Sequence, residues 1–388
     1  MLKISSRFTP FALFLLFSIL LCLWFLKKYS QDLSRISIEL YENEFCIGYN
    51  FLEATEKFRE DGLEPVTLAI HGTSDVLEVV EKKPSNWDGP ISFGMFVDYH
   101  SQKALEYVAM LHQCDKEFGE KVTVHYVFRT SPSQMDCPVI TPDVSVNCDE
   151  FRRNRKQLLK EITSPFQIYP INLMRNVARR GATSDLHLIV DADMTMSSDF
   201  ARKVKPIANR IIDGKQRQVL VVRRFETNED EIPLEVEQLK MGFENQKVFE
   251  FHHNFFFIGH KIPDVEKWFH ASKTENEVTA WEIPYSGNAW EVQVILHRND
   301  MYNAEYFPSR IRDMQSLIYG LCRANYTFNL LSHVFNVHQG IKEDDTMYSK
   351  VVTAHSKRYG RNRAFSRYVH EMNTAYPGTI QRCGKFEM

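Results

Sequence analysis

The sequence predicts an α/β domain built on a mostly parallel sheet, and three observations carry that expectation. Short apolar runs at residues 66–70, 91–97, 122–128 and 186–190 read as buried strands. Between them, residues 74–83, 104–114, 151–162 and 171–180 have the length and pattern of helices, so strand and helix alternate as βαβ units. Hydrophobic residues make up 44% of the chain, enough for a large core, and no repeat or low-complexity tract breaks the pattern.

Taken from the N-terminus, residues 8–26 are apolar except for Thr9, Pro10 and Ser18, long enough to span a bilayer. The run ends at Leu26-Lys27-Lys28 with no small-residue cleavage site, which predicts an uncleaved transmembrane signal-anchor. Lys3 and Arg7 before it balance Lys27 and Lys28 after it, so flanking charge does not set the orientation. The short tail, residues 1–7, predicts a cytoplasmic N-terminus and a luminal bulk, the type II arrangement. Residues 27–63 are polar and weakly patterned and read as a stem, leaving 64–388 as the luminal domain.

Within that domain a turn cluster at 84–90 (Pro-Ser-Asn-Trp-Asp-Gly-Pro) joins the first helix to the second strand. Residues 130–148, with three prolines, read as a long loop, and 151–162 as a basic helix. Pro170 suits the first turn of the helix 171–180, and Gly181 its end. Beyond residue 215 the pattern is mixed, with short strands expected at 219–222 and 255–258 and a helix at 314–321. Phe255, Phe256 and Phe257 read as core.

A net charge of −3 gives no reason to expect a nucleic-acid partner. Cys22 lies in the apolar run and leaves an even set: Cys46, Cys114, Cys137, Cys148, Cys322 and Cys383. Cys137 and Cys148 bracket the proline-rich loop and are the expected disulfide, while the others read equally well as buried thiols. Asn325-Tyr326-Thr327 is a glycosylation sequon placed where a helix gives way to a strand.

The chemistry is concentrated at Leu188-Ile189-Val190-Asp191-Ala192-Asp193. Two carboxylates follow a buried strand, at the edge where open α/β sheets bind ligands. So placed, both reach one site, where a hard divalent cation such as Mn²⁺ or Mg²⁺ bridges carboxylate and phosphate oxygens. An isolated Asp-x-Asp more often caps a helix; the strand-end position favours the metal. Asp191-Ala192-Asp193-Met194-Thr195 also fits the aspartyl-phosphate signature of haloacid-dehalogenase-like phosphatases. That signature normally follows the first strand of its domain, and the only close candidate for its later acidic pair, Asp344-Asp345, sits in a polar loop after Gly340.

Tyr169-Pro170-Ile171-Asn172-Leu173-Met174-Arg175-Asn176-Val177-Ala178, followed by the strand and Asp191-Ala192-Asp193-Met194, resembles the LARGE-type and β-1,4-glucuronyltransferase family (glycosyltransferase family 49). Val66-Thr67-Leu68-Ala69 and Trp87-Asp88-Gly89-Pro90-Ile91-Ser92 are similar to its first two strands and the turn between them. Phe225-Glu226, Gly259-His260 with Trp268, and Trp290-Glu291 follow in the family's order. Val337-His338-Gln339-Gly340 resembles its Val-His-Lys-Gly motif, and Tyr376-Pro377 with Arg382-Cys383 its tail. The resemblance covers residues 64–383.

It implies a GT-A-type, Rossmann-like mixed sheet flanked by helices, and a Golgi enzyme that transfers a sugar, most readily glucuronate, from a UDP-sugar to a glycan or glycoprotein acceptor. It implies Mn²⁺ and inversion in a single displacement. Carried over, Asp191 and Asp193 would hold metal and diphosphate, His338 would complete the metal site, and Thr67, Arg175 and Asn176 would line the nucleotide pocket. A base is needed at the acceptor hydroxyl; Glu291 and Asp313 are the candidates, although Asp313 also suits a helix N-terminus. Where the family carries a Phe-Gly-Trp/Phe-Asn-Lys/Arg-like motif, this chain reads Phe307-Pro308-Ser309-Arg310-Ile311-Arg312-Asp313. That departure falls on the acceptor side and keeps open a non-enzymatic, glycan-binding reading. His252, His253 and His260 read as structural, because adjacent side chains on an extended chain face opposite ways.

Overall fold

The computed structural model describes residues 37–141 and 147–387. The proposed anchor and tail lie outside them, and no helix among the described residues is long and apolar enough to cross a membrane.

The chain forms a mixed α/β fold around one large sheet. Its strands are β1 (Ser37–Tyr41), β2 (Phe45–Leu52), β3 (Val66–Gly72), β4 (Ile91–Phe96), β5 (Val122–Arg129), β6 (Leu186–Ile189), β7 (Met194–Met196), β8 (Gln218–Thr227), β9 (Val248–Glu250), β10 (Ala280–Ile283), β11 (Gln293–His297) and β12 (Thr327–Gln339). The longer helices are α1 (Lys103–Cys114), α2 (Cys148–Glu161), α3 (Ile171–Gly181), α4 (Phe200–Ile211), α5 (Val236–Glu244), α6 (Val265–Thr274), α7 (Asp313–Arg323), α8 (Met347–Tyr359) and α9 (Arg361–Ala375).

The strand order is β1-β2-β5-β4-β3-β6-β11-β8-β12-β10, with β7 on β12 and β9 on β8. The run β5-β4-β3-β6 is parallel, as the βαβ pattern predicts. Beyond β6 the sheet turns mixed: β11 is antiparallel to both neighbours, while β8 and β12 pair in parallel.

Both faces of the sheet are covered, and alternation along single strands shows it. Val219 and Val221 of β8 join the cluster under α7 and α9, whereas Leu220 and Val222 join the one under α1 and α4. A third cluster sets Leu173, Met174 and Val177 of α3 against Phe45, Ile47 and Val127. The 84–90 turn is an anchor: Asp88 accepts hydrogen bonds from the N–H groups of Ala201 (2.8 Å) and Arg202 (3.0 Å), capping α4. Gly89 is required there, since a Cβ would lie 2.9 Å from that of Ala201.

Three expectations are corrected. Residues 37–52, read as stem, form a hairpin turned through the left-handed residues Glu42 and Asn43, and β2 pairs with β5. The alternating Ile38 and Leu40 pattern and the asparagine at the turn were the available signal. The disulfides are Cys46–Cys137, Cys114–Cys148 and Cys322–Cys383, not Cys137–Cys148. Cys148 opens α2, which packs on α1 and so meets Cys114; Cys137 lies beside the hairpin. Residues 255–258 are not a strand: they leave a turn and enter a short helix, Phe257–His260, and Phe255 is exposed. Asn325 is exposed in the turn between α7 and β12, where the sequon was expected.

A chain beginning at residue 64 therefore lacks the hairpin and Cys46, bares the β5 edge and frees the Cys137 thiol. It is expected to aggregate on size exclusion, whereas a chain beginning at residue 36 elutes as a folded protein. A folded, soluble chain from residue 64 would contradict this role of the hairpin.

Candidate active site

β3 and β6 run parallel, with Ala69 opposite Ile189, so His71 and Asp191 emerge at the same sheet edge. They open into a cleft of about 1340 Å³ that also admits Arg175, Asp193, Arg224, His260, Glu291, Arg310, Asp313 and His338.

The acidic turn is fixed from behind. After Asp193 the chain becomes β7, which pairs antiparallel with the end of β12, Met194 opposite His338. The buried Lys83 ammonium donates to the Met194 carbonyl, and Asn86 brackets Met196 through its N–H (2.8 Å) and carbonyl (2.9 Å). Burial pushes the Lys83 pKa down to about 8.

His338 Nε2 lies 3.3 Å from Asp193 Oδ2. Its Nδ1–H donates to the Gly340 carbonyl at 2.8 Å, which a chain with Gly340 at φ 101° can turn back to offer. Burial would lower the His338 pKa, but the Asp193 carboxylate raises it. Asp191 lies between two guanidinium groups, with Arg224 Nη2 at 3.4 Å and Arg175 Nη2 at 3.9 Å. Burial alone would raise its pKa; Arg224 and Arg175 instead hold it at about 2. Arg224 also lies 3.8 Å from the centre of the Phe251 ring.

The two candidate bases differ sharply. Asp313 is fully engaged: Oδ1 accepts from Arg175 (3.2 Å) and the Met314 N–H (2.7 Å), and Oδ2 from the Arg310 N–H (2.9 Å). Glu291 keeps spare acceptor capacity. Its Oε1 lies 2.8 Å from His260 Nε2, and its backbone N–H donates to Gly259 at 2.8 Å. Burial, with Asp313 nearby, raises its pKa to about 8.

Arg175, Asp191, Asp193, Glu291, Asp313 and His338 thus converge. Thr67 and Asn176 do not. Thr67 sits at the opposite end of β3, bonded to Ser184, and the cleft-facing residues of that strand end are His71, Gly72 and Thr73. Asn176 is buried against Asn303 and Glu305 as a packing contact. His71 was missed: it donates to or accepts from Tyr169 Oη at 2.7 Å and, chiefly through burial, has its pKa lowered to about 4. Arg224 was missed too, since a lone arginine in a strand carries no motif. The histidines divide. His253 turns to Phe249 and Phe257, but His252 and His260 meet at 3.0 Å because residues 251–256 form a turn and not an extended strand.

The family model described as "Glycosyl-transferase for dystroglycan" matches residues 65–377. The chain belongs to this family, glycosyltransferase family 49, and is a glycosyltransferase. It is 23% identical over 338 residues to beta-1,4-glucuronyltransferase 1 of Mus musculus, covering 82% of this chain and 77% of that one. Its similarity to the Danio rerio protein of the same name is 25% over 340 residues, covering 82% and 75%. Xylosyl- and glucuronyltransferase LARGE2s of Danio rerio is 22% identical over 292 residues, 74% of this chain but only 33% of that longer one. Among solved structures, GalNAc-T7 with UDP, GalNAc and Mn²⁺ aligns at a TM-score of 0.43 and 10% identity, over 86% of this chain and 58% of that one. The family match removes the phosphatase reading.

Glu291 sets a pH test. A carboxyl whose folded pKa is about 8, against an ordinary 4.5, adds stability that is complete below 4.5 and lost as pH rises toward 8. Glu291→Gln mimics the neutral form and escapes that loss. In the metal-free protein the melting temperature of Glu291→Gln minus that of wild type is expected to grow between pH 5 and 8. A constant difference would show that Glu291 titrates normally.

Proposed function

We propose that this glycosyltransferase uses a UDP-sugar, with UDP-glucuronate the preferred candidate, and a divalent metal, and that it inverts the anomeric centre in one displacement on a glycan acceptor. The observation that carries the reading is the Asp191, Asp193 and His338 constellation. Two carboxylates and an imidazole are a suitable donor set for Mn²⁺. The Nδ1–H bond from His338 to Gly340 fits a ligand role, because it leaves Nε2, the nitrogen facing Asp193, able to present a lone pair. A bound Mn²⁺ would neutralise charge on the departing diphosphate.

The remaining roles follow from the chain itself. Arg175 and Arg224 orient Asp191, and with Arg310 they supply cationic donors for diphosphate or uronate oxygens. Glu291 accepts the proton of the acceptor hydroxyl as that oxygen bonds to the anomeric carbon and the UDP oxygen departs. With its pKa raised to about 8, the Glu291 carboxylate is a stronger base than an ordinary one, and the fraction able to accept that proton grows as pH rises toward 8. Asp313, fully bonded, holds Arg175 in place and is not the base. The sheet order is consistent with a GT-A arrangement. The apolar run 8–26, the three disulfides and the exposed Asn325 sequon support a type II Golgi membrane protein with its domain in the lumen.

Thermal shift of the full chain with a panel of UDP-sugars, with and without Mn²⁺, tests the donor side, since ligand binding raises apparent stability. One UDP-sugar is expected to give a shift only with Mn²⁺. Asp193→Asn is expected to fold normally, lose that shift and lose turnover by at least about a hundredfold, the scale of removing a transition-state charge partner. Full activity in Asp193→Asn would overturn the assignment.

A further inference from the structure

We propose a second metal site, selective for Zn²⁺, formed by His252 Nδ1, His260 Nε2 and Glu291 Oε1. The three donor atoms lie within 4.8 Å of one another, with His260 Nε2 3.0 Å from His252 Nδ1 and 2.8 Å from Glu291 Oε1. Tetrahedral zinc, with bonds of about 2.0–2.1 Å, separates its ligands by roughly 3.3 Å, so the two edges that meet at His260 Nε2 need to open by only a few tenths of an ångström. Two imidazoles and one carboxylate, with a fourth position facing a cleft, are a zinc ligand set; the oxygen-richer Asp191, Asp193 and His338 set suits Mn²⁺ or Mg²⁺ better.

The backbone is arranged for this convergence. His252 adopts φ 56°, a left-handed conformation unfavourable for a residue with a side chain, and that conformation points Nδ1 at His260. His260 is held by the short helix it ends. Gly259 accepts from the Glu291 N–H, and Trp290 Nε1–H donates to the Lys261 carbonyl at 3.0 Å, so the histidine turn and the Glu291 segment are clamped together. The Phe251 ring stacks on His252 at 3.9 Å and meets His260 edge-on at 4.9 Å, giving the site an apolar wall.

Zinc at His260 Nε2 places that ring's proton on Nδ1. Arg224 Nη1, 3.5 Å from Nδ1, then gives up that contact and pairs with Asp191 alone. Zinc also takes the Glu291 oxygen that the proposed transfer needs as its proton acceptor. The site is therefore inhibitory: zinc removes the base while leaving the Asp191, Asp193 and His338 set free. The inhibitory consequence rests on the role given to Glu291; zinc binding itself does not.

The experiment uses the full chain in detergent, stripped of metal and then given excess Mn²⁺. Zn²⁺ binding is followed by calorimetry, and Co²⁺ serves as a spectroscopic probe of tetrahedral coordination. Wild type is expected to bind one Zn²⁺ and to show the visible absorption of tetrahedral Co²⁺. His252→Asn, which tolerates the left-handed backbone but lacks the imidazole, is expected to lose both signals while circular dichroism shows it folded. Glu291→Gln is expected to lose them as well, and Asp193→Asn to keep them. No zinc bound by folded wild type, undiminished binding in His252→Asn, or loss of binding in Asp193→Asn would each overturn the site. If zinc binds as stated but leaves transfer undiminished, the inhibitory role fails and the metal site stands.

Discussion

The candidate active site depends on one pairing, the three-residue β7 against the last residues of the long β12. It sets Met194 opposite His338 and so brings a histidine near the C-terminal end of the sheet to an acidic turn almost 150 positions earlier. β12 reaches that point because its pairing with β8 shifts register between Leu330 and Phe335 and then resumes through Gln339. Without β7 the two aspartates would lie on a free loop, and their spacing from His338 would be set by chance. The Lys83 and Asn86 contacts to β7 make the clamp two-sided.

Electrostatics then determine which carboxylate does what. Asp191, Asp193, Glu291 and Asp313 share the cleft with Arg175 and Arg224, and the arginines are distributed unevenly among them. Asp191 receives both and is held as an anion, and Asp313 receives Arg175 with two backbone N–H groups. Glu291 receives no arginine bond, and burial together with nearby Asp313 raises its pKa to about 8. Environments that separate the pKa values of neighbouring carboxyls divide their chemical roles, which is the basis on which Asp191 is proposed as an anchor and Glu291 as the proton acceptor.

Much of this was legible in the sequence. The parallel strands announced themselves as continuous apolar runs because both faces of the sheet are covered, and the Asp-x-Asp stood out because it ended such a run. The mixed half was harder. β8, β11 and β12 are placed by long-range pairing and not by local period, and the hairpin at 37–52 gains its partner only when β5 is present. Of the two neighbours carried over together, Arg175 lines the cleft and Asn176 does not, because adjacent positions on α3 face the cleft and the interior respectively. The rule that adjacent histidines diverge was sound for His252 and His253, yet it concealed His260, which a turn at 251–256 brings back to His252. The disulfides were missed for the same reason: Cys46 and Cys137 meet through the sheet, not along the chain.

The central claim is that Asp191, Asp193 and His338 hold the metal of a nucleotide-sugar site. The most direct test is anomalous diffraction at the manganese edge from crystals soaked in Mn²⁺ and UDP. The account predicts a single strong manganese peak between the Asp193 carboxylate and His338 Nε2, with diphosphate density against it. A manganese peak at His252, His260 and Glu291 instead, or UDP bound away from the acidic turn, would contradict it.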